Sequence, residues 1–361
     1  MSEPQPKKGI LDIAPYVGGE SHVEGVVRVI KLASNETPLG PSPKAISAYK
    51  KLAGDLHRYP DGGAEELRQA IAEQWELDRD RLVCSDGSDE MISLLTRAYA
   101  GPGDEVLFSH HGFLMYAIAT MAAGATAVKA PETALRADVD ALLGRVNDRT
   151  RILFLANPNN PTGTYLPRGE LVRLHAGLPD DVILVIDAAY AEYVDVEDYT
   201  AGADLVEAHE NVLMLRTFSK IYGLAALRLG WAYGPRHVID VLHRVRGPFN
   251  VNQAAQVAGI AAVRDTAHLA KAKAHNDKWR PWLSEKLGEL GLEFTPSVGN
   301  FVLARFPGGP EMAAAAADHL RSAGILVRGM VAYDLPDCLR ITIGLEDENM
   351  ALLDALIEFM E

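Results

Sequence analysis

From Arg81 onward, short apolar and β-branched runs alternate with amphipathic stretches. Leu82–Cys84, Val106–Phe108, Ala125–Lys129, Arg151–Leu155, Val182–Ile186, Val212–Leu215 and Leu229–Tyr233 read as strands. Helices are predicted over Asp89–Ala100, Phe113–Ala123 and Arg168–Ala176. This alternation predicts an α/β fold with a mostly parallel sheet covered by helices on both faces. Such sheets bind ligands at the carboxyl ends of their strands.

The pattern changes after Pro248. A long helical stretch over roughly Asn252–Leu290 precedes a strand over Phe301–Phe306, a helix near Glu311–Ala323, and strands at Ile325–Val327 and Leu339–Ile343. An amphipathic helix, Glu346–Met360, closes the chain. The expected organisation is an N-terminal arm over 1–30 rich in Pro and Gly, a large domain over 31–247, and a smaller α+β domain over 248–361 that packs with the arm. A length of 361 residues suits two domains sharing a cleft.

The formal net charge of −14 is spread along the chain without a Lys/Arg cluster, so no nucleic-acid partner is expected. Cys84 and Cys338 lie far apart without metal-ligand spacing, which suits a reducing compartment and two buried thiols, and no metal site is predicted. Neither a signal peptide nor a run of about 18 apolar residues is present, so the expected location is cytoplasmic, away from membranes.

Candidate chemistry gathers where the predicted strands end. Arg216-Thr217-Phe218-Ser219-Lys220 follows one strand directly. The Lys220 amine can attack a carbonyl carbon, the Thr217 and Ser219 hydroxyls can donate to phosphate oxygens, and Arg228 can add a fixed positive charge. Taken alone, the T-F-S-K run reads equally as a surface turn. The apolar run Ile183–Ile186 leads straight into Asp187-Ala188-Ala189-Tyr190. A buried carboxylate there can stabilise a protonated pyridine nitrogen, although a strand-ending Asp also caps turns. Tyr190 can hydrogen-bond a phenolic oxygen on the same ring.

Asn157-Pro158-Asn159-Asn160-Pro161-Thr162-Gly163 makes a tight turn whatever its function, and alone reads as that turn; the functional reading puts the Asn160 amide beside that oxygen, where it can donate. Ser85-Asp86-Gly87-Ser88-Asp89-Glu90 joins a strand to a helix whose N-terminal N–H groups can meet a phosphate, with Ser88 alternatively a plain N-cap. Phe113 is a candidate to stack on the ring, and Tyr116 is a second candidate for that place; either can instead be core.

Together these motifs resemble the fold-type I pyridoxal-phosphate (PLP) aminotransferases over essentially the whole chain. The family order is present: a phosphate cup at Gly87–Asp89, N-P-T-G at Asn160–Gly163, D-A-A-Y at Asp187–Tyr190, S-K at Ser219–Lys220, then Arg228. The resemblance implies a PLP-binding large domain, Lys220 as the cofactor lysine, and a homodimer in which Tyr59 of His57–Asp61 reaches the phosphate in the neighbouring site. It also implies that Arg340, in Leu339–Gly344, holds the substrate's acidic group.

Ala14–Gly19, Leu32–Glu36 with Pro38–Gly40, His57–Asp61, Val327–Met330 and Leu335–Asp337 resemble the branch that transaminates L-histidinol phosphate with 2-oxoglutarate. In that branch Arg328 and Tyr16 are expected to join Arg340 and Asn160 around the substrate. Thr37 stands where a second Asn is usual, and Val17-Gly18-Gly19 replaces a V-P-G run. Aromatic aminotransferases, dual-specificity enzymes and threonine-phosphate decarboxylases share much of this pattern. Regulators that use the fold for sensing carry an N-terminal DNA-binding domain, for which these motifs begin too early.

Overall fold

Seven runs build one sheet: six are apolar and buried because they cannot leave a face in water, and the seventh, Thr126–Ala130, is a partly exposed edge. In chain order they are β1 (Leu82–Ser85), β2 (Glu105–Ser109), β3 (Thr126–Ala130), β4 (Thr150–Ala156), β5 (Ile183–Asp187), β6 (Val212–Thr217) and β7 (Gly230–Tyr233). The computed structural model describes residues 4–7, 9–16, 18–20, 22–25 and 28–361; Val17 of the arm motif lies outside them. The lateral order is β1-β7-β6-β5-β4-β2-β3. Neighbours from β6 across to β3 pair in parallel. Strands β1, β2, β5, β6 and β7 are buried along their whole length. Alternate side chains feed opposite cores: Leu153 and Leu155 enter one apolar cluster, Ile152 and Phe154 the other.

Strand β7 runs antiparallel to both β6 and β1. Residues 218–229 connect it to β6, a return that contains no α-helix. That short return carries Lys220 and Arg228 back along the same sheet edge.

A second sheet, wholly antiparallel, orders Glu293–Phe294, Phe301–Arg305, Leu335–Thr342 and Arg328–Met330 side by side. Helices Thr266–Glu289, Gly309–Ser322 and Glu346–Met360 pack on it. The helical stretch expected over Asn252–Leu290 is in fact two helices, Gln253–Val263 and Thr266–Glu289. Asp265 interrupts them: it accepts from Ser42 at 2.5 Å and pairs with Lys44 at 3.0 Å, held in a non-helical conformation. The first helix packs into the large-sheet core through Ala255, Ala258 and Ala262, and the second into the small-sheet core through Trp279 and Leu283. Ile325–Leu326 does not join the small sheet but pairs in parallel with Ile30–Lys31. Among the described residues no helix is long and apolar enough to cross a membrane.

One buried ion pair joins the segment beyond β5 to the end of β6. The Arg216 guanidinium lies 2.7 Å from Glu192, with both side chains almost fully enclosed. Trp75 and Trp231 supply ring faces to the same cation, 4.5 and 5.5 Å away. Glu192 follows Tyr190 by two positions and Arg216 precedes Thr217, so the pair fixes two candidate site loops against each other. Removing one partner strands the other charge in a dry site. Glu192→Ala is expected to lower the unfolding free energy by about 3–5 kcal/mol in urea titration; a change below about 1 kcal/mol would show that Arg216 is otherwise satisfied.

Candidate active site

The predicted cleft lies at the carboxyl ends of β1, β4, β5 and β6, closed on its far side by Arg328, Tyr333 and Arg340. It brings together Tyr16, Ser88, Asp89, Phe113, Asn160, Asp187, Tyr190, Thr217, Ser219, Lys220, Arg228, Arg328 and Arg340. Lys220, Arg228, Arg328 and Arg340 face Glu36, Asp89 and Asp187, so this wall carries an excess of cation in a protein whose net charge is −14. The cleft therefore suits anionic ligands.

At the end of β1, Gly87 begins helix Gly87–Tyr99 at φ +78°, with the Arg228 guanidinium where a Cβ would stand. Arg228 donates to the Ser219 hydroxyl at 3.2 Å and to Asp89 at 3.3 Å. The Thr217 hydroxyl accepts from the Ser219 N–H at 3.1 Å. Gly230 is a contributor that motif reading missed. A Cβ there would lie 2.6 Å from the Ser88 nitrogen and 2.7 Å from the Gly87 carbonyl carbon. Its pairing with both Ser85 and Thr217 across the antiparallel strand, invisible in the sequence, creates that constraint.

Asp187 ends β5 at 4% exposure. The Tyr116 hydroxyl donates to its Oδ2 at 2.7 Å, while Oδ1 is buried without a partner. Tyr116 is thus not a second stacking ring in the cleft. It is fully buried beneath the carboxylate and stacked on Phe154 at 4.8 Å, leaving Phe113 on the cleft wall. Burial pushes the Asp187 carboxyl up to about 6, partly offset by the Tyr116 hydrogen bond. An unpartnered Oδ1 at the cleft end of the strand requires a cationic or N–H donor from a ligand.

Lys220 Nζ donates to the Ser34 carbonyl at 3.3 Å and stands 5.7 Å from the centre of the Tyr190 ring. The Tyr190 hydroxyl accepts from the Asn35 amide at 2.9 Å. Asn160 Oδ1 accepts from Arg340 at 2.5 Å, which leaves its NH₂ group as the donor for a ligand. Ser34 and Asn35 belong to a segment that resemblance singled out without giving either residue a task. Both come from the chain just before the large-sheet helices and reach the cleft only through long-range packing.

Arg340 is buried, and its hydrogen bonds go to the Ala33 carbonyl and the Asn160 amide oxygen. Among the described residues no carboxylate pairs with it, and burial lowers its pKa. Arg328 lies over the Tyr16 ring at 5.9 Å, and Tyr16 is 56% exposed. Tyr59 is the expected residue that this cleft does not include. It is 81% exposed and stacks on Phe249 at 4.5 Å.

The donor set fits a phosphorylated pyridine aldehyde: hydroxyls and a guanidinium for a phosphate, an unpartnered carboxylate oxygen for a ring N–H, and an amine for the aldehyde carbon. Asp187 also makes cofactor-free stability depend on pH. Its folded pKa lies above the ordinary 3.8, so its contribution is fully present below about pH 4 and is lost as pH rises through about 6. The loss amounts to about 3 kcal/mol by pH 7.5. Asp187→Asn should remove that loss, seen as a smaller drop in urea-unfolding free energy between about pH 4.5 and 7.5. Equal drops in both proteins would mean that no desolvated charge sits at this position.

The description of class I and II aminotransferases matches residues 27–356. The chain is 60% identical over its whole length to a histidinol-phosphate aminotransferase of Paramagnetospirillum magneticum, covering 99% of that relative. It is 56% identical to one of Rhodospirillum centenum, with both chains covered completely. Among solved structures, histidinol-phosphate aminotransferase from Sinorhizobium meliloti in complex with pyridoxal-5'-phosphate superposes with a TM-score of 0.91 at 27% identity, covering 99% of this chain and 98% of that one. Those matches span both sheets and every element that forms the cleft, and the chain belongs to the class I and II aminotransferase family.

Proposed function

We propose that this chain is a PLP-dependent transaminase that moves the amino group of L-histidinol phosphate to 2-oxoglutarate, giving imidazole acetol phosphate and glutamate in histidine biosynthesis. Its full-length relatives carry that activity in their names. The observation that carries the reading is Arg340: a buried guanidinium with no carboxylate partner among the described residues, in the same cleft as Lys220. Its missing counter-ion is supplied by the substrate.

When bound, PLP supplies an electrophilic carbon for amines and a ring that takes up electrons released at the substrate Cα. Arg228, Ser219, Thr217 and the helix N-terminus at Ser88 and Asp89 would hold its phosphate. Asp187 Oδ1 would hold the proton of its ring nitrogen, which accounts for the unpartnered oxygen. Tyr190 and Asn160 would serve as donors to its phenolic oxygen, with Phe113 beside its ring. The Lys220 amine would hold its aldehyde carbon and would serve as the base for the donor's Cα proton.

The two amino substrates differ in their anions. Histidinol phosphate has a phosphate and no α-carboxylate, whereas glutamate has two carboxylates. Arg340 and Arg328 serve both, because a guanidinium binds either oxyanion in a bidentate fork, and the Tyr16 hydroxyl adds a donor. Arg328→Ala is expected to raise KM for histidinol phosphate by roughly tenfold with kcat changed far less. An unchanged KM would remove Arg328 from the site. A substrate panel adding phenylalanine, tyrosine and threonine phosphate decides specificity, since faster turnover of an aromatic amino acid would replace the proposed donor.

We also propose a homodimer in the cytoplasm, with a large domain over 31–247, a small domain over 248–361, and Tyr59 reaching the cofactor phosphate in the second copy's cleft. The exposed Tyr59–Phe249 stack and the neighbouring exposed Leu56 and Tyr49 support this reading. Subunits carrying Lys220→Ala and Tyr59→Ala, each weakly active or inactive alone, should recover roughly a quarter of wild-type activity when re-associated in equal amounts, because one cleft of each mixed dimer is intact. Failure to recover any activity in mixed dimers would place Tyr59 outside the neighbouring site.

A further inference from the structure

We propose that Thr342 and Asn35 form a one-way hydrogen-bond relay that fixes the direction of the Tyr190 hydroxyl, leaving its hydrogen aimed into the cleft. The inference rests on reading that cleft as the PLP site, and makes both residues positioning residues.

The polarity of the relay follows from counting hydrogens. The Asn35 backbone N–H donates to the Thr342 hydroxyl oxygen at 3.0 Å. That hydroxyl has one hydrogen, and it donates to Asn35 Oδ1 at 3.2 Å. The amide oxygen therefore faces Thr342, and the amide nitrogen faces Tyr190, donating to its oxygen at 2.9 Å. An amide nitrogen only donates, so Tyr190 is the acceptor and keeps its own hydrogen. Among the described residues that hydrogen has no protein acceptor, and Tyr190 lines the cleft. A donor aimed at the cofactor's phenolic oxygen is what remains.

Water does not scramble this order, because Asn35, Thr342 and Tyr190 are 1, 1 and 3% exposed. The backbone fixes it further. Asn35 sits at φ +55°, a region that Asn enters more readily than most residues, and its carbonyl accepts from the Asn300 amide at 3.0 Å. Thr342 lies two residues beyond Arg340 on the strand Leu335–Thr342, so relay and guanidinium share one face of that strand. Lys220, Asp187 and Arg340 are charged groups around Tyr190, with Tyr116, Tyr193 and Tyr333 as titratable neighbours, and a neutral change at Thr342 leaves all of them in place.

A hydrogen bond donated to the cofactor's phenolic oxygen stabilises the form in which that oxygen carries unshared negative charge, the form present above the pH midpoint of the holoenzyme's visible absorption change. Losing the donor raises the midpoint. In Thr342→Val the amide is free to turn its oxygen toward Tyr190 and capture the hydroxyl hydrogen. We expect the midpoint to rise by roughly half to one pH unit, the size of one neutral hydrogen bond. Alongside, kcat should fall about three- to tenfold with KM within about twofold. Thr342→Ser keeps the hydroxyl and should restore the wild-type midpoint. Thr342→Ala also removes the hydroxyl, should raise the midpoint as Thr342→Val does, and serves if the valine variant does not fold. In a Tyr190→Phe background neither change should move the midpoint further.

A lowered Tm with an unmoved midpoint in both Thr342→Val and Thr342→Ala would reduce the relay to a structural contact and overturn it. So would an equal shift in the Tyr190→Phe background. A wild-type protein that acquires no visible band with PLP would overturn the cofactor reading itself, and the relay with it.

Discussion

A carboxylate kept dry at the end of a fully buried strand constrains everything placed near it. Asp187 ends an apolar run that has no exposed face, and a lone ionised oxygen there is costly unless a cation or donor meets it. Tyr116 answers for one oxygen from below, within the core. Among the described residues the other has no partner, which suits it to a ligand that brings a proton to that point. The raised Asp187 pKa expresses the same incompleteness.

The rest of the cleft depends on holding several loops at fixed distances from that carboxylate. Strand β7, returning antiparallel, brings Arg228 to the helix N-terminus at Gly87, and the absence of side chains at Gly87 and Gly230 lets backbone and guanidinium approach. The Arg216–Glu192 pair ties the loop after Asp187 to the strand before Lys220. On the opposite wall, Arg340 reaches across from the small sheet to Asn160 and Ala33. Groups on the two walls of the cleft thus share hydrogen bonds, and neither wall is positioned independently of the other.

Reading order matters for what the sequence could disclose. Lys220, Asp187, Asn160 and Arg228 were legible because each lies close to the end of an apolar run, and strand ends in such a sheet converge on one edge. The large sheet was legible for the same reason, since residues buried on both faces leave an unmistakable apolar signature. Tyr116 was misplaced because a tyrosine in an amphipathic helix carries no mark of whether its hydroxyl meets a ligand or a buried carboxylate. The break at Asp265 was missed because its cause, Ser42 and Lys44, lies more than two hundred residues earlier.

The sequence by itself determined which residue types end the strands, and hence the cofactor chemistry available at their common edge. Local runs suffice for that, because apolar burial and strand direction need only neighbouring residues. Tertiary structure alone decided the direction of the hydrogen bonds: which oxygen of Asp187 is left open, which end of the Asn160 amide faces a ligand, and how Asn35 meets Tyr190. Those outcomes depend on partners distant in the chain, and a donor or acceptor is committed only when its partner has been packed against it.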